Sequence, residues 1–98
     1  MPDELTVKMD VRRIVLGIAK PLTVDGKEIT TPRQLDPAWT LGPPFPIDMD
    51  KTKIEGDLPP KLDLYVKKLK PKSSFTPGDI KDNMTVGDLA ELVWNKVK

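Results

Sequence analysis

The sequence predicts a small all-α protein, a helical bundle with a long proline-rich loop between its first and second helices. Two segments, residues 58–70 and 85–98, carry apolar residues at the spacing of a helix. The chain has 11 prolines, and all but Pro2 lie between Pro21 and Pro77. Because proline interrupts helices and sheets alike, this middle part predicts ordered loops rather than long regular elements.

The length and two missing residue types limit the possible functions. Ninety-eight residues fit one domain, residues 1–98. The chain has no cysteine and no histidine, which removes thiol chemistry and the commonest general base and metal ligand. Asp48-Met49-Asp50 offers two carboxylates to a cation, but the rest of an oxygen ligand set is missing. We therefore expect no enzyme activity, no metal and no cofactor.

Charge and hydropathy bear on partners and compartment. A net charge of +1 does not give the strong positive field that is typical of a nucleic-acid-binding protein. No apolar run reaches membrane-spanning length, and no signal peptide precedes the first charged residues. We expect a cytoplasmic protein without a nucleic-acid or membrane partner. An acidic stretch at 21–50 precedes a basic one at 51–72. These are either two solvated surfaces or a basic face for an acidic partner.

Residues 5–19 fit two structures. As a helix, the segment gathers branched aliphatic side chains on one face, namely Val7, Val11, Ile14, Val15 and Ile18. Met9 and Leu16 would then lie on the polar side. As strands of a hairpin, its first residues alternate between apolar and polar, and the β-branched content favours that form. The local pattern leaves helix and hairpin open.

Turn signals dominate residues 20–57. Asp25-Gly26 predicts a tight turn. Thr31 and Pro32 predict the cap and first residue of one helical turn. The apolar side chains of the following loop are expected to fasten it to the core, and these are Trp39, Leu41, Phe45 and Ile47.

Residues 58–70 predict an amphipathic helix that begins at Asp57, has Pro59 and Pro60 in its first turn and stops before Pro71. One apolar stripe consists of Leu58, Leu62, Tyr65, Val66 and Leu69. Leu64 falls opposite this stripe, among lysines. The last helix follows Thr85, with Asp88 completing a capping box. Its stripe consists of Val86, Leu89, Ala90, Val93, Trp94 and Val97, and we expect it to pack on the helix near 62–69.

The stretch "FTPGDIKDNMTVGDLAELVWNKVK", residues 75–98, resembles the C-terminal third of acyl carrier proteins. In that family a helix ends near an aromatic residue, here Phe75. A loop with a proline and an acidic residue follows, here Pro77 and Asp79. A short third helix then leads to a last helix that often begins Thr-Val-Gly-Asp-Leu, as at 85–89. "LDLYVKKLK" is similar to the second helix of carriers. "VRRIVLGIA" is similar to their first helix, and this resemblance favours a helix at 5–19.

The chain departs from the family where working carriers attach 4'-phosphopantetheine. Carriers use the serine of an Asp-Ser-Leu motif at the start of the second helix. The corresponding stretch here is "EGDLPP", and a loose alignment places Asp57 at the serine. The chain's serines, Ser73 and Ser74, lie at the other end of that helix. The second helix of carriers is typically acidic, whereas this one is basic. The resemblance therefore implies a carrier-like domain without the prosthetic group.

Two functions remain open on the sequence. The first is a non-enzymatic acyl-carrier-protein-like domain that acts as a docking module or degenerate carrier. The second is a small α+β interaction or regulatory protein, ubiquitin-like, with residues 5–19 as a hairpin. For the first, we expect a protein partner to bind the exposed side of the second helix, through Lys61, Leu64, Lys67 and Lys68.

Overall fold

Three α-helices, linked by turns and a small hairpin, form the described part of the chain. The computed structural model describes residues 2–19, 22–42, 47–81 and 83–98. Its elements in chain order are α1 (Glu4–Ala19), β1 (Thr23–Val24), β2 (Lys27–Glu28), a 3₁₀ turn (Pro32–Gln34), a π-helical segment (Thr52–Asp57), α2 (Leu58–Leu69), a second 3₁₀ turn (Pro77–Asp79) and α3 (Val86–Val97). The structure is therefore mostly helical, as predicted.

Residues 5–19 lie in α1, so the hairpin alternative is wrong. The Thr6 N–H donates to Asp3 Oδ1 at 2.8 Å, which caps the helix. Val7, Val11 and Val15 are fully buried. Leu16, predicted on the polar side, is only 3% exposed. The buried face is wider than one stripe because α1 contacts α3, α2 and the first 3₁₀ turn.

The turn predictions between α1 and α2 are confirmed. Asp25 and Gly26 have φ of 54° and 78°, as a two-residue turn between antiparallel strands requires. Val24 is paired with Lys27 across that turn. Pro32 begins the first 3₁₀ turn after Thr31. Gln34 Oε1 accepts the Thr31 N–H at 3.0 Å and so closes this turn.

The second helix begins as predicted, with Asp57 directly before Leu58 and with Pro59 and Pro60 in its first turn. What the sequence did not predict is the π-helical segment before it, which Asp50 caps because its Oδ1 accepts the Lys53 N–H at 2.9 Å. Because this segment runs directly into α2, Asp57 has helical backbone angles and makes no capping hydrogen bond. Pro59 and Pro60 lack N–H groups, and their rings would collide with carbonyls four residues back. The π-helical segment widens this turn, and the Leu58 N–H donates to Lys53 O five residues back.

The last helix agrees closely with its prediction. Thr85 Oγ1 accepts the Asp88 N–H at 3.0 Å, and Asp88 Oδ2 accepts the Thr85 N–H at 3.3 Å. Its predicted stripe is buried except for Trp94, which is partly exposed. As expected, α3 packs against α2, and it packs over a larger area against α1. Pro77 and Asp79, predicted in the loop after Phe75, form a 3₁₀ turn. Among the described residues between this turn and α3 there is no helix, so the short third helix of the family pattern is missing there.

The loop before α2 is fastened to the start of α3. The N–H groups of Val86 and Gly87 donate to the carbonyls of Trp39 and Pro37 at 2.9 and 2.8 Å, which satisfies two donors that a helix start leaves free. Leu41 and Ile47 are buried and Trp39 is partly buried, as predicted. Phe45 lies outside the described residues.

Candidate partner-binding groove

An open groove runs between the end of α1 and the entry of α2. Its volume is about 570 Å³, within the range of ligand-binding clefts. One wall is formed by Gly17 and Ile18 of α1, and the other by Gly56, Asp57, Pro60, Lys61 and Leu64. Three of the residues discussed as partner-binding or attachment positions, Asp57, Lys61 and Leu64, therefore meet at one place.

Helical periodicity explains why Leu64 reaches solvent. Leu58, Leu62 and Val66 take the core side of α2 and are fully buried. A residue two positions from Leu62 points about 200° around the helix axis, away from that side. Leu64 is accordingly 69% exposed, and its predicted place opposite the core stripe is confirmed.

Lys61 and Lys68 surround Leu64 with positive charge. They lie three residues before it and four residues after it, so both share its face of the helix. Both are exposed. Within the described residues, no carboxylate lies within 4.0 Å of either ammonium group. Their charge is thus directed to solvent beside the groove.

Lys67 differs from these two lysines because it is held by its own helix. Its Nζ lies 2.8 Å from Asp63 Oδ2. Asp63 Oδ1 also accepts the Phe75 N–H at 2.9 Å. The hydrogen bonds from Lys67 and from the Phe75 backbone hold the pKa of the Asp63 carboxyl below its usual value. Lys67 and Lys68 lie outside the lining of the groove, on the turn that follows Leu64.

Asp57 stands at the groove without a group that could carry a phosphodiester. It is exposed, and its side chain makes no capping hydrogen bond. Ser73 and Ser74 follow the opposite end of α2 and do not line the groove. The chain therefore presents a carboxylate at the position that resembles the motif serine.

Four groove residues were not found from the sequence, namely Gly17, Ile18, Gly56 and Pro60. A glycine inside a helical apolar pattern is a weak local signal, because glycine disfavours a helix. Gly17 carries that signal on α1. The position of Gly17 at a groove cannot be seen from this signal, because the other wall includes Gly56, which is 39 positions away in the chain. The two walls come together only when the helices pack.

A second cleft, of about 670 Å³, lies at the start of the π-helical segment and includes Asp48 and Asp50. The Asp50 carboxylate already caps the helix. Within residues 2–19, 22–42, 47–81 and 83–98, no group of three or more acidic side chains could hold a metal ion. The Asp50 carboxylate of this pair therefore serves as a helix cap.

Comparison of the chain with models of known protein families, with curated protein sequences and with solved structures gives no match. Among the described helices, none has the length and apolar character needed to cross a membrane.

Proposed function

We propose that this chain is an acyl-carrier-protein-like helical domain that binds a protein partner and carries no phosphopantetheine. The order of elements supports this proposal. A long first helix, an irregular connection, a second helix, a short helical turn and a capped last helix follow one another. Phe75 is buried in the segment that follows α2, six positions after Leu69, and Thr85 caps α3. These are the positions on which the sequence resemblance rests.

The observation that carries the docking role is the exposed Leu64 beside a groove. A single exposed leucine is common and by itself means little. Here the leucine lines a concave surface and lies between two lysines whose charges face solvent. An apolar contact inside a charged rim is the usual anatomy of a protein interface. The sign of the rim favours an acidic partner.

The absence of the prosthetic group is tested by mass. The full chain is incubated with a phosphopantetheinyl transferase and coenzyme A, beside a working acyl carrier protein as positive control. We expect the control to gain one phosphopantetheine and this chain to keep its mass, since Asp57 offers no hydroxyl. A gain on Ser73 or Ser74 would overturn the proposal that the group is absent.

The docking role is tested by comparing two leucine variants in a pulldown from the native lysate. Leu64→Ala removes the apolar contact at the groove. Leu5→Ala removes an equally exposed leucine, 71% exposed, that does not line it. We expect a protein retained by wild type and by Leu5→Ala to be lost from Leu64→Ala. Equal retention by both variants would show that this face is not the docking surface.

A further inference from the structure

Two helical glycines line the groove, one from α1 and one from the entry of α2. Gly17 lies in α1 and Gly56 in the π-helical segment, and both are exposed. Glycine is among the poorest helix formers. Among the described residues, a Cβ built on either glycine would meet no atom within 4 Å beyond its chain neighbours and its own helix backbone. Steric crowding within the described chain therefore does not require glycine at either position.

Three other glycines do have a structural reason to be glycine, whereas a Cβ on Gly78 would make only an ordinary contact with Thr76 Oγ1 at 3.8 Å. Gly26 has a φ of 78° in the hairpin turn. A Cβ on Gly87 would approach Pro37 O to 3.0 Å, and one on Gly42 would approach Ile54 Cδ1 to 3.2 Å. Gly17 and Gly56 share neither a positive φ nor a crowded neighbour. What they share is the groove.

We propose that Gly17 and Gly56 hold the groove open for an apolar side chain from an acidic segment of a partner protein. This inference rests on the proposed docking function and adds the partner's chemistry. Without side chains at 17 and 56, an incoming apolar group can reach Ile18, Pro60 and the inner side of Leu64. The neighbouring Lys61 and Lys68 then pair with carboxylates that flank the inserted group.

The charge of this face argues for an acidic partner and against a second copy of the chain, because Lys61 and Lys68 flank Leu64 while Asp57 is the carboxylate that lines the groove in the part of the chain that the structure describes. A symmetric dimer would place the same patch on both subunits and so bring together two patches with the same excess of lysines. Two other classes of ligand fit less well. Among the described residues, no aromatic side chain lines the groove for base stacking, and one leucine does not form the broad apolar face that lies in a membrane surface.

The test selects displayed random peptides of about 16 residues, four to five helical turns, on the immobilised full chain. We expect enriched peptides to combine several acidic residues with one Leu, Ile, Phe or Trp. An absence of enrichment, or enrichment of neutral or basic peptides, would overturn the inference. So would tighter binding of a single-stranded oligonucleotide, or of phosphatidylserine vesicles, tested in parallel.

The best synthetic peptide is then titrated against variants. The Gly17→Ala, Gly56→Ala double variant should unfold at higher urea, because alanine favours a helix, yet bind about tenfold more weakly, since the methyl groups narrow the groove. Asn95→Ala on the exposed face of α3 is the matched control. It also favours a helix and should leave peptide binding unchanged.

Two outcomes separate this inference from the docking function. If the glycine variant binds like wild type while Leu64→Ala and Lys61→Glu, Lys68→Glu bind weakly, the glycines do not shape the site and the docking function stands. If all of these variants bind like wild type, the peptide binds elsewhere and both proposals fall.

Discussion

Gly87 is the residue on which the first turn of α3 depends. Its N–H donates to Pro37 O at 2.8 Å, so the loop backbone comes directly against the helix. A Cβ at this position would lie 3.0 Å from that oxygen and 3.1 Å from Pro37 Cβ. The loop has little freedom to retreat, because Trp39 O and Leu41 N are hydrogen-bonded to Val86 N and Met84 O.

Gly87→Ala is therefore expected to destabilise the protein by about 1–3 kcal/mol, the range of overpacking changes, even though alanine favours a helix. The measurement is the free energy of unfolding in urea. Gly17→Ala is the matched control, since its Cβ meets no atom within 4 Å, and it should stabilise by up to about 1 kcal/mol. A Gly87→Ala protein as stable as wild type would show that the loop yields without cost.

At the scale of elements, the features predicted from the sequence have local causes. The cap of α3 joins Thr85 and Asp88, three residues apart. The hairpin turn depends on two adjacent residues, Asp25 and Gly26, that tolerate positive φ. The exposure of Leu64 follows from helical periodicity alone. Each of these signals lies within one turn or one helix, so the sequence was sufficient.

The features that the sequence did not predict depend on contacts between segments that are distant in the chain, or on local adjustments of the helix backbone. The start of α2 at Leu58 was predicted, but the π-helical segment that Asp50 caps before it was not. Leu16 is buried because α1 has neighbours on more than one side. The groove arises only when α1 and the entry of α2 lie side by side.

The π-helical segment before α2 gives a paired prediction. Asp50→Ala removes the carboxylate that accepts the Lys53 N–H and should destabilise the protein by about 0.5–2 kcal/mol, as for other N-cap residues. Asp57→Ala removes a carboxylate with no capping bond and should stay within about 0.5 kcal/mol of wild type. Urea unfolding of both variants is the measurement. The reverse order would show that Asp57, and not Asp50, supplies the stabilising cap.

The packing of α3 is tested by one substitution at two leucines. Leu89 is fully buried in the core, whereas Leu64 is 69% exposed. Leu89→Ala should cost about 2–5 kcal/mol through lost burial and the cavity it leaves. Leu64→Ala should change the free energy of unfolding by less than about 0.5 kcal/mol. A loss below that limit at Leu89 would mean that the α3 stripe is not core.

For the whole molecule, the placement of charge matters more than its total. The net charge is only +1, which gives little attraction for an acidic partner at long range. The exposed lysines of α2 nevertheless concentrate positive charge beside the groove. A charged rim of this kind acts mainly on the association rate and its salt dependence, because it guides the encounter before close contacts form.

This gives a kinetic prediction for an acidic peptide selected on the groove. Lys61→Glu, Lys68→Glu should slow its association and reduce the effect of salt on the rate, with a smaller change in dissociation. Lys27→Glu, Arg33→Glu has the same net charge, and both of its sites are exposed and outside the groove. Stopped-flow association of the two variants and wild type at low and high salt is the measurement. If both variants slow association equally, the peptide senses net charge and α2 does not guide it. If only the α2 variant is slowed, and its rate approaches that of wild type at high salt, the lysines beside Leu64 steer the partner to the groove.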